Sequence, residues 1–265
     1  VLRVLRGDLF LFRFIRVRFN FMKKGRTQLI LFACIFFIPV FAMADELINR
    51  GYEVYKKYCI GCHGEKGDGK GKAATLLVVK PRDFTTGVFK FKSTPQGALP
   101  TDEDLMNTIT KGLPGSSMPS YVLVPERERR AVIEYIKTFS ARWIKERLTA
   151  SINIPPVPLY IDSPESIKRG AEAYKDNGCD LCHGDTGDGR GSSAEELEDM
   201  WGNRIKPRNF KRGIYRGGST PRDIFRILTT GIEGTPMPVF SDIAEEERWH
   251  LISFLLSLKP MRKNE

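Results

Sequence analysis

The feature that most constrains this chain is a five-residue motif that occurs twice, as CIGCH at residues 59–63 and as CDLCH at residues 179–183. The spacing C-x-x-C-H is the signature of covalent c-type haem attachment. Its two thiols can form thioethers with the haem vinyl groups, and the histidine that follows can ligate the iron. The sequence therefore predicts two covalently bound haem c groups and a role in electron transfer. The residues assigned to this chemistry are Cys59, Cys62, Cys179 and Cys182 for attachment, and His63 and His183 as iron ligands.

Two other readings of the motif are a redox-active dithiol and half of a zinc site. A zinc ribbon places its second cysteine pair roughly 15–20 residues after the first, whereas 116 residues separate Cys62 from Cys179. A thioredoxin-like dithiol requires a βαβ context, which the sequence does not show. Both readings are therefore weaker than haem attachment.

The first 44 residues resemble an export signal preceded by a short extension. Residues 1–21 show no clear pattern, and Met22 then opens a basic segment followed by an apolar core and an A-x-A cleavage site at residues 42–44. We expect translation to begin at Met22 and cleavage to follow Ala44, so that the mature chain is periplasmic or otherwise extracytoplasmic. A genuine basic extension and an uncut, anchoring signal are the alternatives. No later stretch is long and apolar enough to span a bilayer.

The net charge of +10 comes mainly from this N-terminal region, because residues 1–44 hold eight basic side chains and one acidic side chain. The rest of the chain is much closer to neutral, which gives nucleic-acid binding no support. Residues 45–150 carry an excess of basic side chains and residues 151–265 a slight excess of acidic ones. This asymmetry favours different docking partners for the two halves, unless it reflects an ordinary solvated surface.

The two halves are internal repeats at an offset of 119–120 residues, with six additional residues in the second copy. So many matches in one order indicate a duplicated domain and not a solenoid. The matched segments are Gly51-x-x-x-Tyr55 with Gly170-x-x-x-Tyr174, residues 67–71 with 187–191, Pro81-Arg-Asp-Phe with Pro207-Arg-Asn-Phe, Met118-Pro with Met237-Pro, and Tyr135 with Phe254.

Each repeat predicts the same order of helices and loops. A helix over 46–58 or 164–177 leads into the haem motif, a glycine-rich loop follows, and a polar helix comes next. A final amphipathic helix, whose apolar residues recur at helical spacing, closes each repeat. The polar helix is expected over 101–111 or 220–231, and the final helix over 125–146 or 242–258.

Taken together, the motifs resemble a class I cytochrome c written twice over residues 45–260. The resemblance implies an all-α fold with two tandem domains, each a small helical bundle around a covalently bound haem. We expect domain 1 at residues 45–150, a stiff Pro-rich linker at 151–164 and domain 2 at 165–265. In the family a small residue of the first helix packs on an aromatic residue of the last, which here implies Gly51 with Tyr135 and Gly170 with Phe254.

The resemblance also implies the remaining haem contacts. Met118 and Met237, which precede proline in matched loops, correspond to the methionine that closes over the iron in that family. Pro81 and Pro207 correspond to the proline whose carbonyl accepts the hydrogen bond of the ligating imidazole. Arg82 and Arg208, which follow them, are candidates to pair with haem propionates. Alternatively, each Pro-Arg pair is an ordinary loop proline and surface arginine.

The segments that carry the resemblance are also similar to di-haem cytochromes that accompany respiratory complexes and molybdenum oxidoreductases. The function expected is therefore single-electron transfer between redox protein partners, ending at a terminal acceptor, without enzymatic activity of its own. Two alternatives remain. One is a tightly bound electron-transfer subunit of a larger oxidoreductase. The other is a di-haem peroxidase-like enzyme, which requires an open sixth position on one iron.

Overall fold

The computed structural model describes residues 45–259, which belong to one compact unit. This part of the chain folds into α-helices and short 3-10 turns, and its β-structure is limited to an isolated bridge between Glu198 and Arg204. The predicted all-α fold is confirmed. The predicted extension, signal peptide and cleavage site of residues 1–44 lie outside the described residues.

The first repeat contains five helical segments. They are α1 over 45–58, α2 at Ile60–His63, α3 at Asp102–Lys111, α4 at Glu126–Lys137 and α5 at Arg142–Lys145. The single helix predicted over 125–146 is wrong, because the chain turns after Lys137 and resumes as α5. At this turn Ser140 is buried and its Oγ accepts a hydrogen bond from the backbone N–H of Arg142 at 3.4 Å. No proline or glycine marks the break.

The second repeat contains four helices. They are α6 at Pro164–Asp176, α7 at Cys179–His183, α8 at Pro221–Thr230 and α9 at Glu245–Ser257. The middle helix of each repeat begins with the same capping box. The hydroxyls of Thr101 and Thr220 accept from the N–H of Asp104 and Asp223, whose carboxylates accept from the threonine N–H in return. These caps explain why both helices begin where the sequence predicts.

The first and last helices of each repeat cross at a glycine, as the resemblance implies. A Cβ added to Gly51 would lie 2.8 Å from the Cβ of Tyr135 and would overlap the carbonyl oxygen of Ala131. A Cβ added to Gly170 would likewise lie 2.8 Å from the Cβ of Phe254. Only glycine permits this backbone approach, so the two crossings fix how each helix pair frames its pocket.

Each repeat has its own apolar core. The core of the first is built around Tyr55, Phe84 and Ile133, and that of the second around Tyr174, Phe210 and Trp249. Residues 148–158, which include much of the proline-rich linker, run without helix. Ile154 and Val157 of this segment pack against the second core, so this part of the connection is docked on the second repeat.

Candidate haem sites

The motif of the first repeat opens onto one mainly apolar cavity. Cys59, Cys62 and His63 line it together with Met118, which comes from the loop after α3. Leu105, Ile109 and Val132 are among the apolar residues that line it. Pro81 and Arg82 line it as well, so the fold brings all six residues that the sequence assigns to the first haem to the walls of one cavity. This donor set of two thiols, an imidazole and a thioether fits a covalently attached haem c.

Each motif histidine is held by a backbone carbonyl. Nδ1 of His63 lies 3.0 Å from the carbonyl oxygen of Arg82, and Nδ1 of His183 lies 3.0 Å from that of Arg208. Because a carbonyl oxygen can only accept, Nδ1 carries the proton and Nε2 keeps the lone pair needed for a metal. Burial lowers the pKa of both imidazoles and so favours the neutral ring.

The carbonyl that accepts this hydrogen bond is not the one predicted. The carbonyl groups expected to accept were those of Pro81 and Pro207, but the structure uses those of the arginines one position later. Pro81 is placed differently: its carbonyl oxygen faces Gly69 of the glycine-rich loop, at 2.8 Å from the position that a Cβ there would take. The carbonyl of Pro207 faces Gly189 at 3.0 Å in the same way. The prolines therefore shape the loop, and the arginine carbonyls orient the rings.

An aromatic ring supports each histidine from the side. Phe84 stacks on His63 with ring centroids 4.4 Å apart and an interplanar angle of 16°, and Phe210 stacks on His183 at 4.5 Å and 22°. Together with the carbonyl bond, this packing leaves the imidazole little freedom to rotate. The sequence showed the two phenylalanines only as matched positions of the repeats and did not indicate the stacking.

A buried tyrosine in each repeat was not assigned a role from the sequence. The hydroxyl of Tyr55 donates to the carbonyl oxygen of Gly64 at 2.7 Å, and that of Tyr174 donates to Gly184 at 2.8 Å. Each glycine directly follows a motif histidine, so the bond ties the end of the motif to the first helix. The available signal was the repeated Gly-x-x-x-Tyr spacing.

The methionine loops of the two repeats have the same internal hydrogen bonds. In the first, the N–H of Leu113 donates to the carbonyl of Met118 at 3.0 Å, and the N–H of Met118 donates to Oγ of Ser116 at 3.2 Å. In the second, Ile232 and Met237 form the same pair at 3.2 Å, with Thr235 in the place of serine at 3.2 Å. The sequence predicted matched loops, and the geometry confirms that they match.

Burial also acts on the cysteines and on the arginines. It raises the pKa of Cys59 to about 12 and that of Cys179 to about 11, so these thiols stay protonated at neutral pH. It lowers the pKa of Arg82 and of Arg208 to about 10. The guanidinium of Arg82 lies 4.0 Å from the ring centroid of Trp201, a residue of the second repeat.

The fold, the two motifs and the cavity together are typical of c-type cytochromes. The family model described as "Cytochrome C oxidase, cbb3-type, subunit III" matches residues 46–136 and again residues 165–255. These two matches cover more than half of the chain, so the chain belongs to this family of haem-binding, electron-transferring cytochrome c domains. The predicted tandem of two such domains is confirmed.

Two individual proteins are similar to this chain. A "Cbb3-type cytochrome c oxidase subunit CcoP" from Helicobacter pylori (strain 52) is 24% identical over 225 residues, which are 82% of this chain and 60% of that protein. An "Uncharacterized protein" from Aquifex aeolicus (strain VF5) is 33% identical over 97 residues, 35% of this chain and 57% of the relative. The chain therefore spans less than two thirds of the length of either.

A solved structure matches most of the fold. It is a chain of the "Kuenenia stuttgartiensis reducing HAO-like protein complex Kustc0457/Kustc0458", with a TM-score of 0.77 and 40% sequence identity. The match covers 79% of this chain and 96% of that one. Within residues 45–259, no helix combines the length and the apolarity that a bilayer crossing requires.

Proposed function

We propose that the protein is an extracytoplasmic di-haem cytochrome c that passes single electrons between redox protein partners in a respiratory chain. The observation that carries this proposal is the cavity lined by Cys59, Cys62, His63 and Met118, whose loop and histidine geometry recurs in the second repeat. When bound, each haem supplies a one-electron couple between ferric and ferrous iron. The second haem would be attached through Cys179 and Cys182 in the second repeat.

The residues of the chain hold and tune these groups. His63 and His183 would hold the two irons through Nε2, and each ring is fixed by a carbonyl bond and an aromatic stack. Met118 and Met237 would hold them through a thioether, and this softer ligand would favour the reduced state. Arg82 and Arg208 lie partly desolvated and are proposed to pair with propionates, which would also favour the reduced state by keeping positive charge nearby.

If a histidine and a methionine hold each iron, as proposed, neither iron would be open to substrate. The di-haem peroxidase alternative instead needs one position that a ligand can enter. An optical and EPR redox titration, with cyanide and peroxide added in parallel, separates the two. Two low-spin haems that stay inert at short times are expected. A high-spin or peroxide-reactive haem in the native protein would overturn electron transfer as the sole role.

A matched pair of variants assigns the ligand in the first repeat. Met118→Leu is expected to make that haem high-spin and reactive towards cyanide. Met106→Leu is the control, since Met106 packs beside the first core and has no counterpart in the second repeat. An unchanged spectrum in Met118→Leu would remove this methionine from the ligand set.

A second candidate is a tightly bound electron-transfer subunit of a larger oxidoreductase. It is favoured by two of the similar proteins, one a cbb3-type cytochrome c oxidase subunit and the other a chain of a reducing HAO-like protein complex. A molybdenum oxidoreductase or another respiratory complex would be the partner class. Co-purification from the native host at low and high salt decides the question. A shuttle dissociates as salt screens the encounter, whereas a fixed subunit stays bound.

A further inference from the structure

Charged side chains gather where the two repeats meet, and cations outnumber carboxylates there. The cations are Arg82, Lys90, Lys92, Arg208 and Arg216. The carboxylates are Asp199 and Glu233 of the second repeat, with Asp83 beside Arg82 and Asp104 beside Lys92 in the first. A partly buried cluster with surplus positive charge is unfavourable unless anions enter it. The excess therefore points to a ligand that carries negative charge.

Two of these cations already have carboxylate partners. Nζ of Lys90 lies 3.4 Å from Asp199, and Lys92 pairs with Glu233; both contacts join the first repeat to the second. Among the described residues, no carboxylate lies within ion-pair distance of Arg216. Burial lowers the pKa of Arg216, and no neighbouring acid counters this shift. Arg216 is therefore a stronger candidate than Lys90 or Lys92 to receive an added anion.

Arg216 belongs to the second repeat but lines the cavity of the first. It borders the same cavity as Cys59, His63 and Met118. One of its Nη atoms donates to the carbonyl oxygen of Gly115, in the loop that carries Met118, at 3.1 Å. Its Nε is buried and has no hydrogen-bond partner in the protein. A buried guanidinium N–H without an acceptor costs free energy, so a bound group at this place would satisfy it.

The backbone beside Arg216 is adapted to this approach. A Cβ on Gly217 would lie 2.8 Å from Cδ1 of Phe91, another residue that lines the cavity, and 2.7 Å from Cδ1 of Ile227. A larger residue at 217 would push the two repeats apart. Gly217 therefore allows the arginine to reach the pocket of the other repeat.

From these contacts we propose that Arg216 of the second repeat binds a propionate of the haem attached to Cys59 and Cys62 in the first. The ligand is a carboxylate, which the guanidinium fork can receive through Nε and an Nη atom. One haem would thus be held by both repeats. This inference rests on the proposed function, because it requires a haem in the first cavity.

The competing assignment follows from the repeat. Arg216 corresponds in the repeat to Lys90, which lines the cavity of its own repeat. By that symmetry Arg216 would serve the haem of the second repeat instead. The two assignments differ in which haem responds when the charge is removed.

The test is a potentiometric titration of the full di-haem protein carrying Arg216→Gln, Arg216→Lys or Lys211→Gln. A Met237→His background lowers the potential of the second haem and so separates the two transitions. Loss of the arginine should favour the oxidised state of the first haem, by about tenfold in the equilibrium constant, or ~59 mV for one electron. Arg216→Lys keeps the positive charge and should retain most of the wild-type potential. Lys211→Gln is the control, because Lys211 is exposed and its substitution removes one positive charge outside the contact between the repeats.

The outcomes are distinct. A shift confined to the first haem, rescued by lysine and absent in Lys211→Gln, supports the inference. A shift of the second haem alone supports the symmetric assignment and overturns it, as does no shift of either haem. If lysine behaves like glutamine, the role of Arg216 is packing and the inference is wrong. A mass spectrum without two added haems would instead refute the proposed function, independently of Arg216.

Discussion

Lys92 of the first repeat and Glu233 of the second form an ion pair across the contact between the repeats, with side chains only 2% and 13% exposed. The ammonium group also donates to the carbonyl oxygens of Pro95 and Ala98, and the N–H of Gly97 donates to Glu233 at 3.2 Å. Glu233 lies in the loop that carries Met237. The first repeat therefore holds the methionine loop of the second.

Breaking this pair should destabilise the protein. We expect Glu233→Gln to lower the free energy of unfolding by about 3 kcal/mol, because it leaves the charge of Lys92 buried without its partner. Denaturant titration followed by circular dichroism measures the change. The control is Glu126→Gln, which removes an exposed pair with Arg130 and should cost no more than about 1 kcal/mol. Equal effects of the two variants would show that the buried pair contributes no more to the free energy of unfolding than the exposed one.

The helix crossings predict a second set of effects. Gly51→Ala and Gly170→Ala should each lower the free energy of unfolding by about 2 kcal/mol or more, since the new methyl meets backbone that cannot move aside. Gly61→Ala is the control, because a Cβ there meets no atom within 4 Å. Thermal melts of the haem-loaded proteins compare the three. A melt of Gly51→Ala that matches Gly61→Ala would contradict the close approach.

The tyrosine hydroxyls that bind the motif predict a smaller loss. We expect Tyr55→Phe and Tyr174→Phe each to cost about 1 kcal/mol, because each removes one of two donors to a buried glycine carbonyl. The other donor, the backbone N–H of Gly67 or Gly187, stays in place. Tyr52→Phe, at a residue 38% exposed, should change little. Urea denaturation gives the three values. A stability loss in Tyr52→Phe as large as in the other two would argue against the hydroxyl bond as the cause.

The methionine loops predict a kinetic effect that depends on the proposed ligation. Ser116→Ala removes the acceptor of the Met118 N–H and a donor to the carbonyl of Leu113. The loop should then open more often, and we expect several-fold faster binding of cyanide to the ferric first haem. Stopped-flow absorbance measures the rate. Ser120→Ala is the control, because its hydroxyl donates to Thr110 just outside the loop, and an equal acceleration there would contradict the assignment.

The sequence was sufficient to predict the residues of the haem-attachment motifs and the duplication of the domain. Thioether formation requires cysteines at a fixed spacing before the histidine, so Cys59, Cys62 and His63 could be identified without a structure. The resemblance to class I cytochromes c likewise implied that the helices cross at Gly51 and Gly170. These features depend on residue types and spacings that tolerate few substitutes.

Backbone roles and contacts between the repeats were beyond the sequence. The hydrogen bond of His63 was predicted to the carbonyl of Pro81 but is made to that of Arg82. Every residue has a carbonyl group, so residue type does not indicate which one faces the histidine. Lys90 and Asp199 are 109 positions apart and follow no periodic pattern. Asp199 and Trp201 lie between Leu197 and Ile205, where the second repeat is longer, so no residue of the first repeat corresponds to them.

That longer stretch also makes the duplicated domains complementary. One copy presents Arg82 and Lys90, and the other presents Trp201 and Asp199 to receive them. Contacts between unlike faces of related domains can propagate head to tail into open-ended chains of molecules. Here a short tether keeps the two faces at high effective concentration, so each finds its complement within the same polypeptide. The complementary faces of the duplicated domains are therefore covered within one chain.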